Sequence, residues 1–209
     1  MGIVAVGVLG SAGCQVIGAV ASTVERTTPK KVKAEHLGLQ DATFAVLVQC
    51  DRGIQSEQPL LVEELSRRMT QRLSAATNVP RAKGFVPADD VLAFTYRNPA
   101  WHLRTPDRLA KDLGGVDRVI IVEVTEFRLH EPGNQYLWSG RATARVSVGN
   151  SASGEFDFDR VVSVRFPDSE GMGPEDIGRQ EVGSVLLSRL VDRASWLFYD
   201  HEEAGDQKY

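Results

Sequence analysis

The sequence predicts an α+β sandwich, a mixed and largely antiparallel sheet with helices packed mainly on one face. Three observations carry that expectation. Phe44-Ala45-Val46-Leu47-Val48 is an unbroken apolar run, the pattern of a strand covered on both faces. Residues 141–148 alternate instead, with Ala142, Ala144, Val146 and Val148 apolar and Arg141, Thr143, Arg145 and Ser147 polar. That is a strand with one dry and one wet face. Between them, Leu61, Leu65, Met69 and Leu73 recur every fourth residue, with Arg67, Arg68 and Arg72 interposed, which is an amphipathic helix.

Composition bounds the class. The 209 residues are 42% hydrophobic and 25% charged, enough apolar side chain for one ordinary core and no tendency to disorder. A formal net charge of −4 gives no reason to expect nucleic acid. Lys30, Lys31 and Lys33 form a small basic cluster, but without interleaved aromatics it reads as a solvated linker. The two cysteines, Cys14 and Cys50, exclude a Cys-rich zinc site and a disulfide framework. Cys50 closes an apolar run and is expected to be a buried, inert thiol.

Residues 1–24 contain no charged side chain. An apolar block, Ile3 to Leu9, leads into Gly10-Ser11-Ala12-Gly13 and then Cys14, the pattern of a secretory signal peptide over residues 1–13. Small residues directly before a cysteine resemble the lipobox of bacterial lipoproteins. Ala12-Gly13-Cys14 match it, while Ser11 stands where leucine is usual and no basic residue precedes the block. The resemblance implies cleavage before Cys14 and lipid attachment at its thiol. Two or more acyl chains make a stable membrane anchor. Two other readings remain open: Ile3 to Val24 as an uncleaved membrane-spanning helix, and a plain cleaved signal. Residues 14–41 then read as the lipidated terminus and a tether, residues 42–199 as a single domain, and 200–209 as a frayed charged tail.

Within the domain, Asp51-Arg52-Gly53 should break the first strand. The following helix is expected to open near Ser56, with Pro59 in its first turn, and to end at Asn78-Val79-Pro80. A short strand near Gly84-Phe85-Val86, a helix over Ala88 to Phe94 and a turn at Asn98-Pro99-Ala100-Trp101 follow. Thr105-Pro106-Asp107 combines a cap, proline at the first helical position and a carboxylate at the positive end; Gly114 stops that helix. Residues 119–127, 141–148 and 155–166 form an antiparallel meander with turns at Gly133-Asn134 and Gly149-Asn150-Ser151. Tyr136-Leu137-Trp138 should open its second strand, and Pro174 a long helix running to about Tyr199.

No constellation of catalytic residues emerges. His36, His102, His130 and His201 have neither helix-face spacing nor companion ligands, so no metal is expected, and no cofactor motif is present. The carboxylates of Glu123, Glu126, Glu155, Asp157 and Asp159 read as cross-strand charge ladders rather than acid–base pairs. Arg145 is expected opposite Asp157 or Asp159, and Arg141 near Glu123. Gly171-Met172-Gly173-Pro174 lacks the lysine and hydroxyl of a phosphate loop. Trp101, Tyr136 and Trp138 are the candidates for a partner-binding surface, since aromatics at loop edges are enriched in contact surfaces. Core or hairpin packing is the competing role for them.

The order of these elements over residues 42–199 resembles a set of bacterial envelope lipoproteins. These are the outer-membrane activators of peptidoglycan synthases and the curli secretion lipoprotein, whose domains are similar to the N-terminal domain of TolB. In detail the resemblance rests on Ala12-Gly13-Cys14 and on Leu113-Gly114-Gly115-Val116-Asp117-Arg118-Val119-Ile120-Ile121, a helix stop running into a central strand. It implies a non-enzymatic protein, lipid-anchored in the envelope, facing the periplasm from the outer membrane and binding an envelope protein. A subunit of a secretion or transport assembly, forming a homo-oligomer through strand edges or loops, is the second reading. A hydrolase with an unrecognised site is the third.

Overall fold

The computed structural model describes residues 29–75, 81–134, 136–168 and 171–203. Its main unit spans Lys33–His201 and holds a five-stranded sheet of order β3-β2-β4-β5-β6. The strands are β2 (Thr43–Cys50), β3 (Gly84–Phe85), β4 (Arg118–Arg128), β5 (Gly140–Asn150) and β6 (Phe156–Phe166). β2 runs parallel to β3 and β4, whereas β4–β5 and β5–β6 pair antiparallel over most of their lengths. The sheet is therefore mixed and largely antiparallel, as expected. A two-stranded ribbon pairs β1 (Lys30–Val32) with β7 (His201–Glu203), and a second, small unit takes in β1 and β7 from Glu202 onward. The tail expected to fray from Asp200 thus begins with a strand.

Burial explains which face each helix covers. On one face Phe44, Val46 and Val48 join Ile120, Val122, Val124 and the alternating Ala142, Ala144, Val146 and Val148. The two long helices, α2 (Leu61–Ser74) and α5 (Arg179–Ser195), close this face with Leu65, Met69, Leu186 and Leu190. On the other face Ala45, Leu47 and Val119 meet Val91 and Phe94 of α3 (Ala88–Arg97) and Leu109 and Ala110 of α4 (Pro106–Asp112). That smaller cluster lies beneath the parallel half alone. The odd-numbered side chains of β5 and β6 stay wet, so those strands alternate, while β2 and residues 119–122 of β4 read as continuous apolar runs.

Several local expectations are corrected. Asp51 does not simply break β2; its carboxylate accepts from the Ile54 N–H at 2.8 Å and caps a short helix, α1 (Arg52–Glu57). Ser56 therefore lies inside α1, and α2 begins only at Leu61, beyond Pro59. Pro174 opens a turn rather than the last helix, which starts at Arg179. The Gly173 N–H donates to Asp176 Oδ2 at 2.8 Å, and the backbone N–H of Asp176 returns to the Gly173 carbonyl. This local hydrogen bonding outcompetes helix. After α5, a 3₁₀ turn over Trp196–Phe198 ends the apolar stripe.

Residues 33–41, read from the sequence as tether, pack into the main unit. The Glu35 and His36 N–H groups donate to the Leu197 carbonyl, and Leu39 is fully buried. The His36 ring lies 4.8 Å from Phe158 and 5.9 Å from Phe198, centroid to centroid, and its buried Nε2 has no hydrogen-bond partner among the described residues. A Cβ on Gly38 would lie 2.4 Å from that nitrogen, so a side chain there would have to displace the packed ring. Burial lowers the His36 pKa below 6.5, the Asp157 carboxylate opposes this, and the Arg118 guanidinium adds to it. The unfolded chain therefore binds this proton first. The stabilisation is complete above the unfolded value of about 6.5 and declines as pH falls from there toward the lowered folded value. His36→Phe keeps the ring packing and is expected to remove this loss. Melting temperatures of both chains from pH 8 to 5 check it: a parallel pair of curves would rule His36 out as the titrating group.

Candidate interaction surface

Three residues were expected to form a partner surface, and the fold does not gather them. Trp101 begins a 3₁₀ turn (Trp101–Leu103) and is only 6% exposed, packed with Val91, Phe94 and Leu109. Trp138 is also 6% exposed, in the cluster on the opposite face. Its Nε1–H donates to the Ile177 carbonyl at 2.9 Å, and its backbone N–H to the Met172 carbonyl at 2.8 Å. The His130 ring packs on it, with centroids 4.3 Å apart. Both indoles thus have little surface to offer a partner. Tyr136 differs: it is 84% exposed in the loop between β4 and β5, not in a strand as expected, beside half-exposed Leu137. Cys14 lies outside the described residues.

What the fold does gather is charge on the open half of the sheet. Glu123, Arg145 and Asp159 form a row across β4, β5 and β6: Glu123 lies opposite Arg145, and Arg145 Nε–H donates to both oxygens of Asp159 at 2.9 and 3.0 Å. This pair holds the Asp159 carboxyl below the ordinary carboxylate range. Thr143 Oγ1 continues the polar row, 3.2 Å from both Glu126 and Ser163. Asp157 leaves it. A register shift at the start of β6 lets Asp157 accept from Arg118 at 2.5 Å, so the expected Arg145 partner is Asp159 alone.

Arg141 does not lie near Glu123: Arg145 stands opposite Glu123, and a second register shift, between Val124 and Glu126, displaces the ladder by one residue before Arg141 is reached. Arg141 instead stands opposite Arg128 on one side and Arg165 on the other. Arg128 is neutralised by Glu126 and Glu131, with contacts of 2.6 and 2.5 Å. Arg165 has no ion-pair partner among the described residues. Like charges directly opposite across strands are unfavourable, so this corner of the sheet carries unbalanced positive charge.

Two cavities bear on catalysis. One, of about 520 Å³, opens at the C-terminal end of β2 between Cys50, Glu63, Tyr96, Trp101 and His102. Burial, reinforced by the Asp51 carboxylate, pushes the Cys50 thiol up, so it is held as the weakly nucleophilic neutral form. Glu63 is engaged by Arg67 in the same helix. Another, of about 430 Å³, lies between α2 and α5 beside Arg72, whose guanidinium pairs with Asp192. Burial raises the Asp192 carboxyl, and Arg72 pulls it back. Its position between two packed helices, with Arg72 as partner, makes it an interhelical tie. Among the described residues no group of three or more potential ligands could hold a metal ion, and no helix is long and apolar enough to cross a membrane.

The geometry defines an α+β sandwich with one charged, uncovered half-face and an exposed edge strand. No protein-family model and no curated protein matches the chain. Solved structures do. Lipoprotein GNA1162 of Neisseria meningitidis is 17% identical, with a TM-score of 0.40 over 72% of this chain and 96% of that one. The PelC dodecamer of Paraburkholderia phytofirmans is 14% identical, with a TM-score of 0.44 over 82% of this chain and 98% of that one. Hypothetical protein CT253 of Chlamydia trachomatis is 18% identical, with a TM-score of 0.41 over 74% and 98%. These are distant similarities of fold.

Proposed function

We propose that the chain is a non-catalytic, lipid-anchored protein of the bacterial envelope that presents its α+β domain to an envelope protein. The observation that carries this reading is Ala12-Gly13-Cys14 closing an uncharged, apolar leader. A diacylated Cys14 would hold the chain at a membrane. The state of the polar groups favours binding over chemistry. Asp159, Asp157, Glu126 and Glu131 are each tied to an arginine, and the Cys50 thiol is kept neutral. Gln15 after the cysteine fits sorting to the periplasmic side of the outer membrane, in organisms where aspartate at that position retains lipoproteins in the inner membrane.

The test is the intact mass of the chain from the membrane fraction of its native host, beside a Cys14→Ser variant. The expected wild-type species starts at Cys14 and carries a diacylglycerol, and the variant loses both features. A full-length, unmodified wild-type chain outside the membrane fraction would overturn the proposal.

A further inference from the structure

β6 is the outer strand of the five-stranded sheet, eleven residues long, with β5 on one side and no strand on the other among the described residues. Proteins usually blunt such an edge with proline, lysine, bulges or short length. Here the register shift sits at the start of the strand, and residues 158–166 run on without proline, lysine or glycine; the charges they carry are Asp159, Arg165 and Arg160, the last paired with Glu35. Arg189 donates to the Arg165 carbonyl at 2.7 Å, and the Arg160 side chain to the Asp159 carbonyl at 3.2 Å. These contacts mark the odd-numbered residues as those whose backbone groups turn outward. Between them stands Val161, on the wet face and 66% exposed.

The geometry points to self-association of the chain through this edge, two copies of β6 pairing antiparallel about a two-fold axis at Val162. The charges select that register. Asp159 of each copy then faces Arg165 of the other, which supplies Arg165 with the carboxylate it lacks among the described residues of one chain. Asp159 already accepts from Arg145, and a carboxylate has lone pairs to bridge both arginines. Val161 faces Ser163. On the helix side Val162 meets its own copy, and half-buried Phe158 faces half-buried Phe166, so the ends of the pairing are aromatic.

Neighbouring registers lose these matches. Centring on Val161 sets Asp159 against Ser163 and the displaced Asp157 against Arg165; centring on Arg160 sets two guanidiniums face to face. In the Val162 register, residues 159, 161, 163 and 165 form hydrogen-bonded pairs with residues 165, 163, 161 and 159 of the second copy, extending the sheet across the axis. The inference concerns the folded domain and holds whether or not Cys14 carries a lipid.

Two measurements on the full-length chain in detergent test it. The first is mass by sedimentation over a micromolar concentration series. The wild-type chain is expected to dimerise, and Arg165→Asp to weaken the dimer about tenfold by setting like charges opposite each other twice. Arg165→Asp also relieves the Arg141–Arg165 repulsion within the chain, so its melting temperature should hold or rise, which separates a lost contact from a lost fold. The second measurement is disulfide formation in a Cys50→Ser background, with that parent's own crosslinking as baseline. Val161→Cys mixed with Ser163→Cys should crosslink, because directly opposed residues lie about 5.5 Å apart. Either variant alone should not, because diagonal neighbours are about 7–8 Å apart. A chain that stays monomeric throughout the series overturns the proposal. So does a dimer unaffected by Arg165→Asp, or one whose single-cysteine variants crosslink as readily as the mixture.

Discussion

Phe44→Ala is expected to lower the unfolding free energy by about 3–5 kcal/mol, the cost of emptying a fully buried phenyl site. Phe44 is 0% exposed in β2, a strand covered on both faces. Its backbone neighbours are Phe85 of β3 and Arg118 of β4, and its ring packs in the larger cluster with the long helices. The surroundings cannot collapse easily, because β2 is locked between parallel partners on both sides. Since whole domains are stable by only about 5–15 kcal/mol, the variant should lie close to its unfolding threshold. Denaturant unfolding followed by circular dichroism reads the effect as a lower midpoint at unchanged slope. Phe85→Ala is the internal control, because Phe85 is about half exposed and its loss should cost under about 1 kcal/mol. Equal costs for the two would show that the phenyl of Phe44 does not fill the site its burial describes.

The fold class was legible because burial writes itself into sequence period. β2 is covered on both sides and reads as an apolar run; β5 is covered on one side and alternates; α2 carries its core residues four apart. The finer architecture was legible only where a local signal existed. Thr105-Pro106 marks the start of α4, and Gly114, at φ +90°, its end. Asp51 carried such a signal too, but the short α1 behind it was hidden by Gly53 and Pro59. The pairing of arginines was not legible. The register shift between Val124 and Glu126 falls at Thr125, with no glycine or proline to announce it, and it sets Arg141 opposite Arg128 where an unshifted ladder would set it opposite Phe127. The roles of the tryptophans depend on segments far away in sequence. Trp138 is fixed by the Ile177 carbonyl, 39 residues on, and no local pattern reports that hydrogen bond. The β6 edge follows from the same nonlocal facts: Arg165 becomes unbalanced only once Arg141 is known to stand beside it.

Gly140→Ala is the second large effect expected, a loss of about 1–3 kcal/mol from overpacking. Gly140 opens β5 opposite Phe166 of β6, with the Arg128 carbonyl of β4 also close by. An added Cβ would lie 2.7 Å from the Phe166 carbonyl oxygen and 3.5 Å from Leu186 Cδ2. Backbone, unlike the far end of a side chain, cannot swing aside, so the strands themselves must part. The strain should appear first where β5 holds the end of β6, so Gly140→Ala should also weaken any association through that edge. Gly183 supplies the opposite case. It lies within α5 with open space where a Cβ would stand. Gly183→Ala should therefore stabilise the chain by about 0.5–1 kcal/mol, through helix propensity and a less flexible unfolded state. Thermal unfolding of the two variants side by side separates space from conformational freedom. If both substitutions shifted the melting temperature the same way, the close approach at Gly140 would not be what requires glycine there.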